Sequence, residues 1–166
     1  MDRNRDWANR NADIHWPAGF TPDDADLFAR NEMLIKAPCA SVWRHLVEAP
    51  KWPQWYPNSQ NVRIIGNGSG LLQQDTKFEF DTFGLHVDAQ VHEFDAESQL
   101  GWFGKGVGID AYHTWLLVPR TKDCYVVTEE VAKGLGAIAI RKPDPDAMHK
   151  GHELWLEKLK SLSEKQ

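Results

Sequence analysis

Residues 76–94 read TKFEFDTFGLHVDAQVHEF, and the alternation in this stretch decides the fold. Phe78 and Phe80 fall on one face of its first half, against Lys77, Glu79 and Asp81 on the other. In the second half Val87, Ala89 and Val91 oppose His86, Asp88, Gln90 and His92. A period of two is the pattern of a half-buried strand. The turn between the two halves is short, which demands an antiparallel neighbour, because a parallel pair needs a crossover of a dozen or more residues.

Toward the C-terminus the same signals recur at 99–104, 109–118 and 125–131, and toward the N-terminus at 62–65, where the Gly66–Gly70 run reads as a hairpin turn and not as a phosphate loop. Met33–Lys36 is a further short strand, stopped by Pro38. Ala40–Glu48 places Val42, Trp43, Leu46 and Val47 on one side of a helix, and Pro50, Pro53 and Pro57 confine the next stretch to a turn or a single helical turn. Gly134–Arg141 is either a hinge or a preliminary helical stretch. A long final helix follows, capped by Asp144 with Pro145 at its first position and carrying the stripe Met148, His152, Trp155, Leu159, Leu162. Residues 1–30 are polar and read as an N-terminal extension, with Thr21-Pro22-Asp23-Asp24 starting a short helix over 22–30. Trp7, Trp16 and Phe20 would lay that extension on the main domain, residues 31–166.

The expected fold class is therefore α+β: a curved seven-stranded antiparallel sheet wrapped around a long C-terminal helix, with short helices after the first strand. One amphipathic helix cannot fill such a sheet, and what remains is a cavity. The eight Trp, seven Phe and three Tyr of the chain suit either an aromatic core or a cavity lined with rings.

Composition excludes several partners. The formal net charge of −5 offers no basic face, which argues against nucleic acid. No window approaches 18 apolar residues and the N-terminus lacks a signal-like apolar core, so neither membrane insertion nor export is expected. Cys39 and Cys124 lack CxxC spacing and read as reduced thiols of a cytoplasmic protein. Cys39, at a helix start, reads as a small cap residue and not as a nucleophile.

The segment IKAPCASVWRHLVEAPKWPQWYPN, the central strands from GNGSG to LGWFG, and the closing AYHTWLLVP and VTEEVAKG resemble the START-like (SRPBCC) superfamily in its polyketide cyclase/dehydrase branch. The resemblance spans about residues 31–163. It implies the helix-grip fold and a pocket for lipids, polyketides or other hydrophobic molecules, and it implies the fold far better than any reaction.

Alternation then nominates the pocket. Phe78, Phe80, Val87, Ala89, Val91, Trp102, Trp115 and Leu117 should point toward the helix, joined by Met148, His152 and Trp155 from the helix itself. His113 shares its face with Trp115 and Leu117 and could bind a ligand carbonyl or move a proton. His152 could meet it across the pocket. Glu129 and Glu130 are adjacent on the last strand, so one of them must point inward and needs a partner; Glu130 is taken as the second candidate catalytic group. Trp52 and Trp55 read as anchors of the proline-rich lip. His149 and His152 stand three apart near Asp144 and Asp146, but with no HExxH and no Cys/His cluster neither metal nor cofactor is expected, and His149 should face water. Two functions fit: a carrier or sequestering protein for a small hydrophobic molecule, or a cyclase/dehydratase-type enzyme using His113 and Glu130. Exposed tryptophan in the extension could also serve a homodimer.

Overall fold

A computed structural model of the chain describes residues 3–165. Helix α1 (Arg3–Ala8) precedes strand β1 (Leu27–Ile35), helix α2 (Cys39–Val47) and a 3-10 helix (Ala49–Gln54). Six strands follow: β2 (Gln60–Ile65), β3 (Lys77–Thr82), β4 (Leu85–Asp95), β5 (Gln99–Gly106), β6 (Ile109–Arg120) and β7 (Asp123–Lys133). Helices α3 (Leu135–Arg141) and α4 (Ala147–Ser163) close the chain. The strands form one antiparallel sheet in the order β1-β7-β6-β5-β4-β3-β2. α4 lies across its concave side, burying Met148, His152, Trp155, Leu156 and Leu159.

Several expectations are corrected at this level. The helix over 22–30 contracts to a 3-10 turn, Pro22–Asp24, because Leu27–Arg30 pair with Ala132–Glu129 of β7 and the ladder outweighs the cap signal. The strand expected at 33–36 thus begins at Leu27, and the division at residue 30 falls inside it. α4 starts at Ala147, after Asp146; Asp144 instead accepts the Asp146 N–H at 3.0 Å through its side chain. Gly134–Arg141 resolves as a helix from Leu135 onward.

The two cysteines are not free thiols. Cys39 at the start of α2 and Cys124 at the start of β7 form a disulfide across 85 residues of sequence, with Cα atoms 4.9 Å apart. Spacing alone could not show this, because the pair is brought together by α2 packing on the end of the sheet.

Around β6 and β7 the sheet is covered on both faces. Alternation suggests one wet face, yet in β6 seven consecutive residues, from Ala111 to Leu117, are buried. Residues 11–20 cross the convex side: Ile14 packs with Leu116 and Val127, Trp16 meets Phe28 and Tyr112, and Phe20 meets Phe103 at a centroid distance of 5.3 Å. Glu129 is buried beneath this strap, where Asn11 donates its backbone N–H to Oε2 at 2.6 Å and Arg30 Nε stands 3.5 Å away. Burial pushes the Glu129 carboxyl up to about 7. His149 does not face water: it is half-buried, with Nδ1 2.8 Å from Asp6 of α1. Among the described residues no helix is long and apolar enough to cross a membrane.

Gly134, between β7 and α3, has φ 102° and ψ 178°, a region essentially reserved for glycine. A Cβ there would overlap the Gly108 carbonyl oxygen of the β5–β6 turn, and backbone cannot step aside as a side-chain end can. Gly134→Ala is expected to lower the unfolding free energy by about 2–3 kcal/mol. Urea unfolding followed by circular dichroism checks this, and an unchanged midpoint would contradict it.

Candidate functional site

The hollow between sheet and α4 is filled further than one helix could manage. Trp52, on the 3-10 helix, is fully buried among Phe78, Phe80, Trp102 and Trp155, with centroid distances of 5.2 to 6.0 Å. Its indole N–H donates to the Leu46 carbonyl at 3.1 Å. Tyr56 stacks on Trp155 at 4.5 Å and donates its hydroxyl to the Gly151 carbonyl at 2.8 Å. The prolines that break the sequence pattern after α2 therefore shape a segment that plugs one end of the hollow.

At the other end a cavity remains. Its enclosed part has a volume of about 40 Å³, room for the head of a small ligand, and its mouth opens to solvent. Phe80, Val87, Trp102, Met148 and Trp155 line it as the alternation predicted. Phe78, Ala89, Val91, Trp115 and Leu117 do not: they point inward but lie in solid core, under α2 and the plug. Phe83, Leu85, Ile109 and Ile140 complete the mouth and escape alternation because they sit at strand ends, in a turn or on α3. Phe83 (φ 51°) and Gly84 (φ 73°) form the β3–β4 turn, whose ring leans against Gly151 of α4. A two-residue turn with both φ positive matches the twist of the flanking strands.

The polar groups gather at the inner wall. The β6–β7 register places His113 directly opposite Glu130, and α4 brings His152 over both. His152 Nε2 lies 3.0 Å from Glu130 Oε1, and His113 Nδ1 lies 3.4 Å from the same oxygen. The two imidazoles stack at 4.5 Å. His113 Nε2 is 2.8 Å from the Thr128 hydroxyl, which itself lies 3.0 Å from the Thr114 carbonyl. A hydroxyl has one proton, so Thr128 either donates to the Thr114 carbonyl and accepts from His113 Nε2, or donates to Nε2 and leaves the His113 proton on Nδ1, toward Glu130. Burial pushes His113 down to about 3, leaving it neutral at physiological pH. Glu130 is opposed by its own burial, but the two histidines hold its carboxyl below the ordinary value. This side chain keeps 16% of its surface exposed, toward the cavity.

No family model matches the chain, and no curated protein matches it. Among solved structures, the protein jhp0584 from Helicobacter pylori is 33% identical, over 93% of this chain and 98% of that one, with a TM-score of 0.84. The chain belongs to the family of jhp0584, and its fold is the helix-grip fold. Norcoclaurine synthase from Thalictrum flavum shares this fold at 16% identity, over 84% of this chain and 94% of that one, with a TM-score of 0.64. DynU16, a protein of the dynemicin biosynthetic locus, shares it at 15% identity, over 84% of this chain and 48% of that one, with a TM-score of 0.62.

For this helix-grip protein the sequence named all three members of the polar cluster, but not their common centre. It left the choice between Glu129 and Glu130 open, and the register settles it: Glu130 faces the cavity and Glu129 the strap. Thr128 went unnoticed. The available signal was its position two residues before Glu130, on the same strand face.

Proposed function

We propose that this START-like protein binds a small organic molecule whose apolar body occupies the mouth between Phe83, Leu85 and Met148 and whose polar head meets Glu130, His113 and His152. One observation carries the reading: three polar side chains from β6, β7 and α4 converge on one point of an otherwise apolar cavity. Such a combination of apolar walls and few convergent polar groups is what orients a small ligand. The shallow inner space favours a compact, flat molecule over a long lipid chain. A carrier or sequestering role follows if the ligand leaves unchanged.

A second reading is proton transfer on the bound molecule, as in a cyclase or dehydratase. The contiguous His113–Glu130–His152 cluster favours it, and so does the presence of an enzyme, norcoclaurine synthase, among proteins of this fold. His113, neutral with so low a pKa, is a weak base at pH 7 and suits hydrogen-bond acceptance better than proton abstraction. Glu130 would be the base.

The test is native mass spectrometry of the protein from its own cells, followed by titration with a panel of small aromatic carbonyl compounds read by tryptophan emission. Saturable binding is expected, and Ala111→Leu, which adds three carbons to a wall of the cavity, should weaken it roughly tenfold or more while leaving the fold intact. No saturable response from any compound and no co-purified molecule, or binding indifferent to Ala111→Leu, would overturn the reading.

A further inference from the structure

We propose that His113, Glu130 and His152 form a site for one divalent transition-metal ion of the zinc class, with its open coordination positions facing the cavity. The proposal goes beyond the ligand pocket and does not need it, since metal binding is measured with no organic molecule present.

Geometry carries the argument. One ligand atom from each of His113, Glu130 and His152 lies within 4.8 Å of the other two. Two ligands each about 2.1 Å from one ion stand about 3.4 Å apart at a tetrahedral angle and about 3.0 Å apart at a right angle. The separations found are 3.4 Å for His113–Glu130 and 3.0 Å for His152–Glu130. Small side-chain adjustments would bring all three to one ion.

The surroundings prepare at least one ligand. A metal-binding imidazole needs its other nitrogen protonated and held, and such second partners fix both tautomer and ring direction. Thr128 is placed to do this for His113: with its hydroxyl turned to the Thr114 carbonyl it accepts from Nε2, and the Nδ1 lone pair is then free for an ion beside Glu130 Oε1. The only ion-pair partners of the Glu130 carboxylate among the described residues are these two histidines. A carboxylate among buried rings calls for a compensating positive charge. Two imidazoles and one carboxylate with vacant positions suit zinc, cobalt or iron(II) and not calcium or magnesium, which prefer all-oxygen shells. The sequence pointed away from metal because it tested neighbours on one helix, His149 and His152; this ligand set is drawn from three elements.

The experiment uses the full chain, freed of metal by dialysis against a chelator without reductant, and titrated with Co²⁺ alone. Expected are one equivalent bound, visible d–d absorption, and quenched tryptophan emission, because the His113 ring lies 5.0 Å from Trp102, 5.2 Å from Trp115 and 5.5 Å from Trp155. Zn²⁺ should displace the Co²⁺. Glu130→Gln should weaken binding at least roughly tenfold, and Thr128→Val, which leaves all three ligands in place, by about 10–100-fold. His86→Ala, which dismantles the exposed Glu79–His86–Asp88 group, should change nothing. Absence of a stoichiometric Co²⁺ spectrum in the unaltered protein overturns the proposal whatever the variants do, and so does a spectrum that His86→Ala abolishes or that both Glu130→Gln and Thr128→Val leave intact.

Discussion

Trp52→Ala is expected to remove about 4–5 kcal/mol of unfolding free energy, at the upper end for a buried tryptophan. The indole is fully buried and is flanked by four rings, Phe78, Phe80, Trp102 and Trp155, none of which can collapse into the vacated space without leaving its own neighbours. The Leu46 carbonyl would also lose its partner, adding the cost of an unsatisfied acceptor at the end of α2. Domains of this kind are stable by about 5–15 kcal/mol, so a loss of this size removes roughly a quarter or more of the total. Chemical denaturation of the variant measures it. Trp52→Phe, which keeps a ring and loses only the hydrogen bond and part of the volume, should cost markedly less. Equal costs for the two variants would mean that the plug is not held by ring packing.

The second large effect concerns the disulfide. Reduction of Cys39–Cys124, or replacement of both residues by serine, is expected to lower the unfolding free energy by about 2–4 kcal/mol. The loop it closes spans 85 residues, long enough for the chain-entropy contribution to sit near the top of its range. Urea unfolding with and without reductant gives the difference, and thiol labelling of the denatured, unreduced protein should find no free cysteine. Identical midpoints in the two conditions would show that the cross-link does not restrain the unfolded chain. Disulfides persist in oxidising compartments, so one of the grounds for expecting a cytoplasmic protein, two isolated thiols, no longer holds.

The fold was legible in the sequence where one physical signal dominated. Alternation located β3 through β7 to within a few residues, and the stripe from Met148 to Leu159 located α4. Legibility failed where distant parts of the chain decide the outcome. Leu27–Arg30 follow a good helix start yet become strand, because β7 offers them a ladder. Tyr112, Thr114 and Glu129 look like a solvated face until residues 11–20 cover them. At the site, alternation told which side chains point inward but not which meet empty space. That depends on how far Trp52 and Tyr56 reach, and proline-rich segments announce no such thing. The convergence of His113, Glu130 and His152 needed the β6–β7 register and the height of α4 together.

Adjacent Glu129 and Glu130 give β7 an ambiguity that the protein must resolve. Sliding the strand by a single position would hand the histidines the wrong carboxylate and send its twin beneath the strap, with every other side chain exchanging sides as well. Cys124 lies only six positions upstream and is bolted to α2, so this end of β7 cannot slide. The cross-link thereby serves as an alignment peg, indexing Glu130 to His113 at a distance, and a protein assembled without it has lost one safeguard on which acid faces the cavity.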